Sequence, residues 1–385
     1  MFRKRFIRTV SVLTGLSLGV AVAACSAPGN DKKADAGGGS GPIKIALVDA
    51  QSGQLSSLGA WELKGTKLAV DQWNAKGGID GRKIELTVMD DAGDPTTGTT
   101  LARKVTSGGY VAMFGTAESA VTQAMNPILK QGQVPSITSG QSPAIAELGS
   151  EFQFFNGPTS VTYDATLAKY LVDTKGYKSI AMISNNGGYG TGEHDAFLKA
   201  LSDKGVKPTD DKVVTTEQKD FSSVLTSIRS HKPDVLFIGT EEVEAGLIAK
   251  QARELGLDTV FAGAAPLSTP VYVQTAGTKI AEGTVASTPY LSNDATPESK
   301  QFAADYKKAY GEDAELHGAK AYDGASIFLT ALKATGGKGG TALADAIRGT
   351  KYQGLLGDFA YDDTGVGIHE TRIGIIADGK LTSAP

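Results

Sequence analysis

From Ile43 to Ala377, short apolar runs of strand length alternate with amphipathic stretches of helix length, and that order leaves few folds open to the chain. Ile43-Lys44-Ile45-Ala46-Leu47-Val48 reads as a buried strand. The stretch 58–76 then places Trp61, Gly65, Leu68, Ala69 and Trp73 on a helical period that Gly77-Gly78 ends. A strand follows at 83–90. Asp94-Pro95 supplies an N-cap and a first-turn proline for a helix to Thr106, and 110–114 is the third strand. The series predicts further helices at 119–131, 160–175, 190–204, 221–230 and 241–255, with strands at 134–138, 179–184, 212–216, 234–239 and 259–262. Beyond them, 284–289 and 371–377 read as strands, and 297–310 and 318–334 as helices. Strands separated by helices of this length pair in parallel, with both faces covered. The series divides near Phe155-Asn156-Gly157-Pro158, so the expected fold is α/β with two doubly wound parallel-sheet lobes. Residues 42–385 also exceed the ~250–300 at which single cores usually split.

The N-terminus has a different character. Arg3, Lys4, Arg5 and Arg8 precede a short apolar run that ends Val22-Ala23-Ala24-Cys25, the pattern of a secretory signal peptide over 1–24. Cys25 is the only cysteine, and its setting resembles the lipobox of bacterial lipoproteins, which implies lipidation there; an ordinary cleaved signal with a cysteine nearby is the alternative. The stretch 25–42 is rich in Gly and charge and is expected to be a flexible tether, spanning roughly 20–25 Å as a Gly-rich coil. The expected location is outside the cytoplasm: lipid-anchored on the outer face of the cell membrane, or on the periplasmic side if an outer membrane is present.

The whole chain carries net charge −4, and loss of the four N-terminal basic residues leaves 34 basic against 42 acidic, a net −8. That balance disfavours nucleic acid as a partner. With no second cysteine, disulfides and thiolate metal sites are excluded. No Walker pattern, His-Glu-x-x-His or Gly-x-Ser-x-Gly is present, and His194, His231, His317 and His369 are scattered. Gly188-Tyr189-Gly190-Thr191-Gly192 mimics a dinucleotide turn but has Glu193 where the third glycine belongs. Asp90, Asp91 and Asp94 are read as strand-end and capping residues. No catalytic residue, cofactor or metal is therefore expected.

Asn74-Ala75-Lys76-Gly77-Gly78-Ile79-Asp80-Gly81-Arg82-Lys83, followed by Asp90-Asp91-Ala92-Gly93-Asp94-Pro95, resembles the branched-chain amino-acid-binding proteins, the solute receptors of ABC importers. Phe221-Ser222-Ser223-Val224-Leu225, Gln251-Ala252-Arg253-Glu254-Leu255-Gly256 and Ala321-Tyr322-Asp323-Gly324 extend the likeness in the same order. The resemblance implies two lobes joined by three crossovers, 43–157 plus 290–350 and 158–289 plus 351–385. It also implies closure about a hinge on an amino acid or related small polar solute, and an ABC permease as partner. A ligand-sensing module of the same fold, without an import role, is the competing reading, as is a receptor for an amide, amine or aromatic carboxylate.

The resemblance assigns the ligand carboxylate to Ser119, at a helix start where free amides favour an anion; a plain N-cap role is the alternative. Gly140, Gln141 and Ser142 match the segment that binds carboxylate and ammonium groups, and Tyr189 matches a tyrosine of the second lobe that covers the ligand. Leu58 matches one wall of the pocket. The departures concern charge. Ala265 stands where amino-acid-binding members have an acid for the ammonium group, whereas Glu118, Glu241 and Glu242 introduce carboxylates. Glu241 or Glu242 either replaces the missing ammonium partner, selects a polar or cationic far end, or only favours the first turn of its helix.

Overall fold

The computed structural model describes residues 41–291, 293, 294 and 296–384; the signal peptide, Cys25 and the tether as far as residue 40 lie outside them. The first sheet contains β1 (Ile43–Asp49), β2 (Ile84–Asp90), β3 (Ala112–Phe114), β4 (Ser136–Thr138) and β5 (Gln153–Phe155), in the order β2-β1-β3-β4-β5 and parallel throughout. The second contains β6 (Ile180–Asn185), β7 (Asp210–Val214), β8 (Val235–Gly239), β9 (Val260–Gly263) and β10 (Val285–Thr288), whose order β7-β6-β8-β9-β10 repeats that of the first. β14 (Arg372–Ala377) and β15 (Lys380–Ser383) extend its β10 edge antiparallel.

The linking helices are α1 (Ser56–Ala75), α2 (Pro95–Ser107), α3 (Ser119–Gly132), α4 (Pro143–Glu147), α5 (Ser160–Ala168), α6 (Gly188–Asp203), α7 (Ser222–Ser230), α8 (Glu242–Glu254), α9 (Pro270–Ala276) and α10 (Thr278–Ala281). After β10 come α11 (Pro297–Tyr310), α12 (Leu316–Ala334) and α13 (Gly340–Arg348). Phe328, Leu332 and Leu343 from α12 and α13 join the core of the first sheet, so the chain passes between lobes after β5, after β10 and before β14. These are the three crossovers. Among the described residues no helix is long and apolar enough to cross a membrane.

Burial on both faces explains the near-continuous apolar strands. Along β1, Ile45 and Leu47 pack with Phe114 and Phe328, while Ala46 and Val48 pack with Met113, Val121 and Met125. β8 does the same, with Leu236 and Ile238 on one side and Val235 and Phe237 on the other. Asp94 caps α2 as its sequence position predicts, its Oδ1 accepting the Thr97 N–H at 2.6 Å. The helix expected over 160–175 is α5 continued by a π-helical turn, Lys169–Thr174.

Residues 352–368, which the boundary at 351 groups with the second lobe, pack against the first. They form a small antiparallel sheet of β11 (Tyr352–Gly354), β12 (Gly357–Tyr361) and β13 (Gly367–Ile368). Tyr361 meets Phe154 of β5 edge-on at 5.2 Å, and the Phe155 N–H donates to the Gly365 carbonyl. Strands this short leave no readable period.

α1 and α12 approach at Gly65, where a Cβ would stand 2.1 Å from the Gly318 carbonyl oxygen. Two backbones cannot yield as a side chain does. Gly65→Ala is expected to destabilise the protein by about 1–3 kcal/mol, seen as a lower urea midpoint at unchanged slope.

Candidate functional site

In an open parallel sheet of this strand order, the connections change face between the first and third strands, and the crevice lies beyond the carboxyl ends. Both lobes turn those ends toward each other. β1 leads to Leu58, β3 to Ala117, β4 to Ser139 and Gln141, β6 to Tyr189, β8 to Glu241 and Glu242, and β9 to Ala265 and Pro266. Together with His317 of α12, these residues surround a central cavity of about 20 Å3. Such a space holds about one water. The lobes touch beside it: a Cβ at Gly188 of α6 would lie 2.9 Å from the Ala120 nitrogen of α3.

Five of the nine sequence-selected residues, Leu58, Gln141, Tyr189, Glu241 and Glu242, line the central cavity. Glu118 lines a second space of about 270 Å3 at the mouth of the cleft, which shares Glu241 and Glu242 with the first. Ser119, Gly140 and Ser142 stand behind the wall. The Ser119 hydroxyl oxygen accepts the Ser142 N–H at 3.3 Å, and the Gly140 N–H donates to Thr138 Oγ1 at 2.9 Å. The N-cap of α3 is Glu118, whose Oε2 accepts the Val121 N–H at 2.7 Å, and Ser119 is the first helical residue. A further cavity, about 430 Å3, lies between α9, β15 and the start of α12 and is lined by none of the nine.

The central cavity is walled by polar atoms without partners. Both amide atoms of Gln141, both ring nitrogens of His317 and Oε1 of Glu242 are buried and make no hydrogen bond among the described residues. Oε1 of Glu62, behind His317 on α1, is in the same state. His317 stacks on Trp61 with ring centroids 6.2 Å apart and stands 4.0 Å from Glu62 and 3.9 Å from Glu242. These separations exceed hydrogen-bond length. Burial, with Lys320 nearby, pushes His317 down to about 3, so its ring is neutral and the two contacts are not ion pairs.

Carboxylates outnumber cations throughout the cleft. Burial pushes Glu242 up to about 7. Burial also holds Glu241 well above the usual carboxylate range, reinforced by Glu242, Glu118, Glu244 and Glu193. It raises Glu118 and Glu62 as well, and lowers Lys320 to about 8 against the pull of Glu62 and Glu315. Among the described residues no Lys or Arg lies within 4.0 Å of Glu118, Glu241 or Glu242.

A family model for periplasmic binding proteins matches residues 42–380, nearly all of the chain beyond the tether. The chain belongs to the periplasmic binding protein family. Another sequence like this one is the Leu/Ile/Val-binding protein BraC3 of Rhizobium johnstonii, 30% identical over 328 residues, covering 84% of this chain and 88% of that protein. The leucine-binding protein LivK of Thermotoga maritima has the same fold, with a TM-score of 0.84 at 24% identity over 89% of this chain and 98% of LivK. A solute-binding protein of R. palustris, solved with benzoate, gives 0.81 at 20% identity, covering 89% of this chain and 95% of the other.

In this periplasmic binding protein one residue that sequence reading missed is His317. Its position in the chain carries no signal. It reaches the cleft because α12 returns to the first lobe after the second crossover, and because Glu315 caps α12 by accepting the His317 and Gly318 N–H groups at 2.8 and 2.5 Å. Ser139, Asn185 and Glu244 were missed for a related reason, being ordinary polar residues at strand ends or in a first helical turn. Ala265, 2% exposed, does face the central cavity, where Glu241 and Glu242 are the acids present.

Proposed function

We propose that this protein is an extracytoplasmic receptor that captures an amino acid or related small polar solute between its lobes and delivers it to the permease of an ABC importer. One observation carries the reading: the unpartnered polar atoms of Gln141, Glu242 and His317, contributed by both lobes around one cavity. Leaving such groups unpaired costs about 1–3 kcal/mol each, and a polar solute bridging the lobes removes that cost only in the closed form. The solute thereby supplies the difference in free energy between open and closed states. The names of relatives such as BraC3 support an amino acid as the class.

Attachment by a lipid at Cys25 keeps the receptor at high effective concentration near its permease. Mass spectrometry of the membrane-extracted protein tests that part.

A second reading comes from the R. palustris neighbour solved with benzoate, an acid without an amine. Three glutamates at the cleft weigh against an anion. A thermal-shift screen over amino acids, amides, polyamines and aromatic acids is expected to give its largest stabilisation with an amine-bearing compound. The gain approaches about 4 kcal/mol at a solute concentration 1,000 times Kd. A response confined to amine-free carboxylates overturns the choice of class.

A further inference from the structure

The mouth of the cleft holds a chamber of about 270 Å3 beside the central cavity. Glu118, Glu217, Glu241, Glu242 and Glu244 line it, and none of its lining residues is basic. These carboxylates come from both lobes, Glu118 from the start of α3 and the others from the β7–α7 connection and the start of α8. Two are held in place. Glu118 accepts the Val121 N–H, and Glu244 accepts the Asn185 side-chain N–H at 2.6 Å together with the Glu217 backbone N–H. The chamber shares Glu241 and Glu242 with the central cavity. There Gln141, 3% exposed, and His317, 6% exposed, present polar atoms that have no partner.

An inorganic cation does not explain this arrangement. Among the described residues no group of His, Cys, Asp and Glu is close enough together to hold a metal ion. An organic cation spreads its charge and its donors over a longer reach. A neutral aliphatic side chain is the wrong occupant, since it would strip water from these carboxylates and return no hydrogen bond.

Resting on the reading of the protein as an amino-acid receptor, we infer that its solute is an amino acid with a cationic side chain. Its α-amino and carboxylate groups lie among Gln141, His317 and Glu242, and its far charge lies among Glu118, Glu241 and Glu244. The specificity then departs from that in the names of the Leu/Ile/Val-binding relatives, because further carboxylates stand at the tail of the ligand.

Titration calorimetry with L-lysine, L-ornithine and L-arginine against L-norleucine, which matches lysine in length but lacks the ammonium, tests this. At least one cationic amino acid is expected to bind tenfold or more tighter than norleucine, with an affinity that falls as salt is raised. Glu118→Gln, whose carbonyl still caps α3, and Glu244→Gln are each expected to reduce that preference severalfold by weakening the cationic ligand more than norleucine. Norleucine or leucine binding as tightly as every cationic amino acid overturns the inference and leaves the receptor reading intact. Absence of binding by any amino acid overturns both.

Discussion

Replacing Glu242 by glutamine is expected to change stability and binding in opposite directions. At pH 8 the free protein should gain about 1–3 kcal/mol, while affinity for its amine-bearing solute should fall about 30-fold or more, the loss that follows truncation of one member of a buried charged pair. Burial raises the Glu242 carboxyl from 4.5 to about 7, so the folded protein holds this proton more tightly than the unfolded chain. The stability it contributes is complete below pH about 4.5 and is lost as the pH rises through about 7. At higher pH the loss amounts to about 3 kcal/mol. Glu241, Glu315 and His317 face it. His317, lowered by burial to about 3, acts in the opposite sense, losing stability as pH falls below 6.5. That contribution cancels when wild type and Glu242→Gln are compared at one pH. Urea unfolding should therefore give nearly equal stabilities at pH 4.5 and a gap of about 1–3 kcal/mol at pH 8. Equal stabilities at both pH values, or an unchanged affinity, would sink the assignment.

The same arithmetic accounts for the cost the free protein carries. A buried carboxylate without a cation is tolerated where binding supplies one, and strained or destabilised groups concentrate at such sites. Glu244 illustrates the contrast. Burial raises it too, but Asn185 and the Glu217 amide offset part of the effect, so it acts as a fixed wall of the chamber.

The lobes were legible in the sequence because both rest on doubly covered parallel strands. Apolar runs such as Val235-Leu236-Phe237-Ile238 and amphipathic helices of ordinary length leave a strong period, and helix starts such as Asp94-Pro95 were placed correctly. The cleft was legible where a residue follows a strand end in the same lobe, as Gln141, Tyr189, Glu241 and Glu242 do. It was not legible where tertiary structure decides. His317 enters from a helix that only a crossover brings to the first lobe. Ser119 has the position of a capping serine, yet the longer side chain of Glu118 takes the cap and frees Ser119 to hold the Ser142 amide. Residues 352–368 form strands too short to carry a pattern, and their place beside Phe154 is set by aromatic packing.

The proposed closure can be blocked without touching any polar group. Gly188 opens α6 opposite α3, and a Cβ there would meet the Ala120 nitrogen at 2.9 Å and its Cα and Cβ at 3.1 Å. The contact crosses between lobes, so a branched side chain at this point opposes the closed arrangement and leaves each lobe's own core unchanged. Gly188→Val is expected to lower the apparent affinity about 100-fold or more, since a penalty of about 3 kcal/mol on the closed state alone corresponds to about 150-fold. Thr191→Val is the control, placing the same side chain in the first turn of α6 at an exposed position. In calorimetry the control should bind like wild type. In small-angle X-ray scattering wild type and control should contract on addition of saturating solute, whereas Gly188→Val should keep its free dimensions at the same concentration. Tight binding with full contraction in Gly188→Val would mean that the solute is held without this approach of α6 to α3.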